Sequence, residues 1–290
     1  MLTQTKIAIS IEGQTLRLLS CRGNKVRWWS ETELEPRLLR NGFLADARGF
    51  AQAINASSPP ENDMKGRVLA ALPGLQSLFR VFRLPRNLGS KLGPTVLGEA
   101  RRSVPDIDTN MFVFWQAFGP TDAAQQSVFL LAVPKQPLST YLEALSAAGK
   151  MPKSLDLRPL ALVRAINQQD AIIGNAESKA LDVVIVQNDI PVMMRSLYLG
   201  DDFAQVEYVN ARLAEELART IVHFNSTSRE GTLAPTTPVY LTGSGAVDPG
   251  LSSMVMDQTQ HPVAPLETAF EHPDDFPLAK YMVHLGLMLK

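Results

Sequence analysis

The sequence predicts an α/β chain of two domains, with an α+β segment between two hairpins. Three observations lead to it. A β-hairpin opens the chain, with apolar strands at 5–11 and 14–20 around Glu12-Gly13-Gln14. A second hairpin stands at 183–187 and 192–196, with Asn188-Asp189 at its turn, and each hairpin is followed by a later strand and helix. Between the hairpins, residues 67–149 read β-β-α-β-β-α. Residues 67–149 thus make a compact α+β unit of subdomain size.

The elements follow in order. Asn24 turns a third strand containing Trp28 and Trp29, which point to opposite faces. Residues 50–54 belong to a helix, and Ser57-Ser58-Pro59-Pro60 ends it in a loop. Strands at 68–72 and 77–83 stop at Pro73-Gly74 and Leu84-Pro85. A helix at 92–103 is stopped by Pro105, and strands follow at 111–118 and 128–133. The helix at 137–148 puts Leu138, Tyr141, Leu142 and Leu145 on one face and is capped by Gly149. Further helices are read at 159–166, 203–224 and 278–288, and a strand at 239–241 enters the turn Gly243-Ser244-Gly245.

The bulk numbers narrow the function classes. At 290 residues, 45% hydrophobic and 20% charged, the chain has the size and composition of a two-domain globular protein. A net charge of −1 without any long basic block argues against a nucleic-acid partner. The lone Cys21 excludes an intramolecular disulfide. Its neighbour Arg22 would favour a thiolate, but a single strand cysteine is more often buried and inert. The apolar run 7–11 breaks at Glu12, too soon for a signal peptide, and no stretch reaches the roughly 20 apolar residues of a membrane span. The expected place is therefore cytoplasmic. The histidines at 223, 261, 272 and 284 are scattered, without metal-ligand spacing, and Ser244 has no triad context. Asp274-Asp275 reads as a charged N-terminal turn before a helix.

A resemblance sharpens this picture. Its carriers are Phe82-Arg83-Leu84-Pro85, the run from Glu99-Ala100 to Val104-Pro105, and the strand at 111–118. The helix ending at Gly149, Leu155-Asp156, Ala161-Leu162 and Arg164-Ala165 continue it. So do 191–196, the helix with Glu216, Arg219, Thr220 and Phe224, the turn at 239–246, and Leu285-Gly286-Leu287. In this order they resemble the PilM family of type IV pilus assembly proteins, relatives of FtsA and of the GspL cytoplasmic domain. The resemblance implies an actin-like (ribonuclease H-like) fold with 67–149 as an inserted subdomain. It implies domain I at 1–170 and a shortened domain II at 171–290, because little chain separates Gly200 from the helix bearing Glu216. It also implies a partner: the N-terminal tail of a PilN-like bitopic inner-membrane protein, held in a groove walled by elements of 1–66 and 67–149. Self-association stays open.

Actin-like ATPases hold phosphates between two hairpin turns. Where the first turn normally has Asp and Gly, this chain has Ser10 and Glu12, and a carboxylate there meets phosphate with like charge unless magnesium intervenes. The second turn is expected at Ile173-Gly174-Asn175, where no Asp stands. The resemblance leaves Thr15, Arg17, Glu216, Gly243, Ser244 and Gly245 as a degenerate nucleotide site, with Glu216 near the ribose. It implies no catalytic residue, no metal ligand and no resident cofactor, with ATP and magnesium as the alternative. The leading expectation is a non-catalytic scaffold. The rivals are a weak ATPase and a GspL-like component of type II secretion.

Overall fold

The computed structural model describes residues 4–58, 66–103, 107–118, 124–200, 206–228 and 231–290. Pro59, Pro60, Pro105 and the start of the helix expected from 203 lie outside them. The chain forms two compact units, Gln76–Ser139 and the remainder on either side of it.

The larger unit starts with β1 (Thr5–Glu12) and β2 (Thr15–Arg22), an antiparallel pair that places Ser10 opposite Arg17 and Glu12 opposite Thr15. Gly13 makes the turn at φ +61°, in the left-handed region that glycine tolerates. β3 (Lys25–Glu33) pairs with β2, and a short ladder joins β4 (Leu39–Arg40) to β5 (Phe43–Leu44). The helix α1 (Ala47–Ser57) is capped by the Asp46 carboxylate, which accepts from the Gly49 N–H. It buries Phe50 and Ile54. β6 (Arg67–Leu72) lies parallel to β1.

The smaller unit follows. β7 (Leu78–Pro85), α2 (Leu92–Ser103), α3 (Ile107–Asn110), β8 (Met111–Phe118) and β9 (Gln125–Pro134) build an antiparallel sheet in the order β7-β9-β8. One face is closed by Val96 and Ala100 of α2 over Leu84, Val128, Leu130 and Ala132. The alternation of these core residues along β9 is the period of a half-buried strand.

α4 (Lys135–Ala147) ends in two crossed hydrogen bonds, Lys150 N–H to the Leu145 carbonyl and Gly149 N–H to that of Ser146, with Gly149 at φ +69°. That is the helix stop a left-handed glycine allows. β10 (Ser154–Leu157) pairs parallel with β6 and completes a five-stranded sheet in the order β10-β6-β1-β2-β3. α5 (Arg158–Ile166) follows. The second sheet consists of β11 (Ala171–Glu177), β12 (Ala180–Gln187), β13 (Ile190–Tyr198) and, after α6 (Val206–Thr227), β14 (Val239–Thr242). Its order is β13-β12-β11-β14, with β14 parallel to β11. α7 (Pro249–Thr259) and α8 (Leu278–Met288) complete the chain.

The two sheets repeat one plan: an antiparallel meander with a parallel strand laid beside its first member. One core joins them. Ala8, Leu19 and Leu69 of the first sheet and Ile173, Val184 and Val186 of the second pack with Ala161 and Leu162 of α5 and with Tyr281, Met282 and Leu285 of α8. The outer face of the second sheet, with Val183, Ile185 and Leu241, is covered by Leu213 and Leu217 of α6 and Leu251 and Val255 of α7.

One expectation is corrected. Residues 173–175 are not a turn; they run through the middle of β11, every residue of which is buried. Gly174 read as a breaker, yet it is an extended residue whose missing side chain makes room for Leu241 and Leu217. The turn of this hairpin falls at Ser178-Lys179 instead. α7 has no counterpart in the sequence reading. Among the described residues, no helix is long and apolar enough to cross a membrane.

Candidate functional site

Side chains alternate across a strand, so Ser10 and Glu12 share one face of the first hairpin with Arg17. On the second hairpin Asn175 and Asp182 are cross-strand partners, and Glu177 lies on the same face as Asn175. The two hairpins abut. A Cβ built on Gly13 would stand 3.1 Å from the Glu177 Cβ.

Where they meet, the polar side chains form one network. Arg17 grips Glu177 with both arms of its guanidinium, Nη1 to Oε1 at 2.6 Å and Nη2 to Oε2 at 3.2 Å. Its Nε donates to Glu31 Oε2 at 3.3 Å. The Ser244 N–H donates to Glu177 Oε1 at 3.2 Å, and the Ser244 hydroxyl donates to Oε2. Arg158 Nη1 donates to the Ile11 carbonyl at 2.7 Å. Its Nε lies 3.1 Å from Asp182 Oδ2, a contact of charge rather than an aligned hydrogen bond. Glu12 Oε2 is 3.7 Å from Arg158 Nη1 and accepts from Asn175 Nδ2 at 3.1 Å. Ser10 donates to Glu12, Thr242 to Asn175, and Ser196 to Asp182.

Glu12, Arg17, Arg158, Glu177 and Asp182 are each at most 2% exposed. A lone buried charge would cost several kcal/mol, and only dense pairing makes the cluster tolerable. Burial pushes the Glu12 carboxyl up; Arg158 opposes that and Glu177 adds to it. Burial pulls Arg17 down, but Glu177, Glu12 and Glu31 together outweigh burial and hold the guanidinium charged. Asp182, Glu12 and Glu177 together do the same for Arg158. Behind Arg17, burial presses His284 down to about 3, and its neutral ring meets the Arg17 carbonyl at 3.0 Å through Nε2.

The six residues named from sequence are placed as follows. Arg17 and Ser244 converge on Glu177. Gly243 turns at φ +87°, and a Cβ there would strike the Ala176 carbonyl oxygen at 2.4 Å. Only glycine lets this turn close against the second hairpin. Gly245 opens a short 3₁₀ turn beside Ala176. Thr15 starts β2 opposite Glu12 and is half-buried. Glu216 belongs to a different cluster. It is buried on α6 and pairs with Arg212 at 3.1 Å, Arg219 at 3.3 Å and Arg195 at 3.6 Å. The sequence reading missed Glu177 and Arg158 as members of the site, set Asp182 aside as too far along its strand, and took Asn175 for part of a turn. The available signal was polar residues at 175 and 177, spaced by the strand period at the end of a strand.

A phosphate placed between the two turns meets Glu12 and Glu177 where it needs donors, and like charges at close range repel. A recess of about 250 Å³ opens beside the turns, lined by Gly13, Gln14, Pro36, Gly42, Lys179 and Tyr198. It is smaller than the roughly 300–1,000 Å³ usual for small-molecule sites. Among the described residues, no group of three His, Cys, Asp or Glu side chains is arranged to hold a metal ion. With Glu177 seated, the Arg17 and Ser244 donors are not open to a phosphate.

No family model matches the sequence, and no curated protein matches it. Solved structures do. The chain is similar to a structure of the PilM-PilN type IV pilus biogenesis complex, at 23% identity and a TM-score of 0.79, over 98% of this chain and 97% of the other. It is similar to the cytoplasmic domain of EpsL, an inner-membrane component of the type II secretion system of Vibrio cholerae, at 10% identity and TM-score 0.57, over 99% and 96%. It is also similar to MreB5 of Spiroplasma citri bound to AMPPNP, at 10% identity and TM-score 0.53, over 99% and 96%. Likeness at these identities is likeness of fold. The chain has the α/β, two-domain fold of the actin-like proteins.

Proposed function

We propose that this chain is a non-catalytic scaffold of a type IV pilus or competence-type assembly machine. In this reading it works at the cytoplasmic face of the inner membrane, bound to the N-terminal tail of a PilN-like protein. The observation that carries the non-catalytic half is the Arg17–Glu177 pair. A side chain of the second hairpin takes the donors that a phosphate would need, and Glu12 adds a second carboxylate beside it. The partner half is supported by end-to-end likeness to a PilM-PilN complex and by the ordered residues from Phe82 to Leu287.

Two other readings have a specific observation behind each. A weak ATPase is favoured by the fold shared with AMPPNP-bound MreB5 and by the retained Gly243 turn. A type II secretion role is favoured by the fold shared with EpsL. Calorimetric titration with synthetic N-terminal tails of PilN-like proteins is expected to give saturable binding. No heat at high micromolar peptide would sink the partner half. Thermal denaturation with Mg-ATP is expected to show no shift. A ligand at a hundred times its Kd would add about 2.7 kcal/mol of stability, so a clear shift would transfer the reading to the ATPase.

A further inference from the structure

The Glu177 carboxylate is held by donors that come from elsewhere in the fold. Two are the guanidinium N–H groups of Arg17 on β2, and two are the backbone N–H and hydroxyl of Ser244 after β14. The guanidinium and the backbone N–H are fixed independently of Glu177. Arg17 is buried, its Nε donates to Glu31 on β3, and its Nη1 also reaches the Lys280 carbonyl at 3.3 Å. Glu31 is itself held by Lys280 Nζ at 2.7 Å. The Ser244 N–H is aimed by the left-handed Gly243, whose own N–H donates to the Ala279 carbonyl at 2.8 Å. The approach is so close that a Cβ on Gly243 would lie 2.9 Å from Glu177 Oε1.

A guanidinium fork, a hydroxyl and a backbone N–H converging on two oxygens form the donor set that proteins use for carboxylates and phosphates. We propose that Arg17 and Ser244 form a preorganised anion site whose resident ligand is the chain's own Glu177 side chain. The ligand class is a small oxyanion: carboxylate, phosphate or diphosphate. Glu177 acts as a tethered anion that keeps the two hairpins joined and bars free anions from the cradle. This deepens the nucleotide-free reading of the same site and is independent of the partner. A plain structural ion pair differs in one respect: with Glu177 gone, Arg17 alone would draw any anion, chloride included, whereas the fork, hydroxyl and N–H together favour carboxylate and phosphate.

The test is chemical rescue. Glu177→Ala is melted in chloride, acetate, phosphate and pyrophosphate at matched ionic strength, beside the wild type and Arg17→Met/Glu177→Ala. The expected result is a lower Tm than wild type in chloride and a saturable recovery on titrating acetate or phosphate. Neither wild type nor the double variant should show that recovery. Glu177→Ser, run in parallel, guards against a misfolded alanine variant. The proposal is overturned if both single variants respond to every anion as the wild type does, or if neither folds in any of them. An Mg-ATP arm separates the two claims. A shift in the variants alone identifies Glu177 as the group that keeps nucleotide out. A shift in the wild type overturns the nucleotide-free reading, and the rescue by acetate is then read on its own.

Discussion

Asn175 donates its amide to Glu12 Oε2 at 3.1 Å, so an uncharged side chain joins β11 to β1 inside a ring of charged groups. The amide is oriented from behind, because Thr242 donates to its carbonyl oxygen at 2.9 Å. The same nitrogen also lies 3.4 Å from Asp182 Oδ2.

Asn175→Asp keeps the size and removes the donor. It adds a carboxylate between Glu12 and Asp182, which should cost roughly 3–5 kcal/mol at neutral pH, the scale of an uncompensated buried charge. The new acid gains a raised pKa in the folded state, so protonation favours folding and stability returns as pH falls. Urea denaturation at pH 7.5 and pH 5 should show the deficit shrinking at the lower pH. An equal deficit at both would contradict the placement of Glu12.

His284 makes the opposite prediction. Its folded pKa is depressed to about 3 from an ordinary value of 6.5. Its contribution is therefore complete above pH 6.5 and is lost as pH falls toward 3. Between pH 7 and pH 5 the loss is on the order of 2 kcal/mol. Glu12 works with the other sign, because its raised pKa adds stability as pH falls toward 4.5. The difference between wild type and His284→Gln isolates the histidine. That difference should shrink as pH drops from 7 to 5, and a flat difference would refute the buried neutral ring.

Two glycines on helices should respond in opposite directions. A Cβ on Gly286 of α8 would stand 1.9 Å from the Ala161 carbonyl oxygen, which is backbone and cannot rotate away. Gly286→Ala should therefore cost about 3 kcal/mol or more, at the upper end of overpacking effects. Gly98 on α2 has nothing within 4 Å of its would-be Cβ. Gly98→Ala should stabilise the smaller unit by about 0.5–1 kcal/mol through helix propensity. Equilibrium unfolding followed by hydrogen exchange resolves the two units and checks both signs.

Cys21 is buried, and burial pushes its thiol up to about 12. It should resist a thiol reagent in the native protein at pH 8 and react at a rate set by unfolding. Labelling that is fast and insensitive to denaturant would place it at the surface.

Much of this fold was legible because its signals are local. Gly13 marks the first turn, Gly149 ends α4, and the apolar run after Pro277 is α8. β11 was not legible, because Gly174-Asn175 has turn chemistry and is overruled by burial on both faces of a central strand. The site was half legible. Arg17 and the Gly243-Ser244 turn stand out, but Arg17 meets Glu177 across 160 residues of sequence, and nothing local distinguishes that carboxylate from a solvated one. Arg158 beside Pro159 looks like an ordinary helix start. Its burial follows from the Ile11 carbonyl and Asp182, both remote in sequence. Glu216 was legible as a residue worth naming, and its three arginine partners were not.

The position of α8 bears on how the chain is made. Lys6 Nζ donates to the Met288 carbonyl at 2.6 Å, a contact 282 positions apart in sequence. Both sheets of the larger unit leave the ribosome before the helix that fills the space beside them. Until 278–288 emerges, Ala8, Leu19, Ile173 and Val184 lack the cover that Tyr281, Met282 and Leu285 later supply. Loop closure over such separations is slow, and exposed apolar strands invite aggregation in the interval. A translation stall shortly before α8 would thus leave both hairpins synthesised, their shared core open, and the chain exposed to chaperones and proteases.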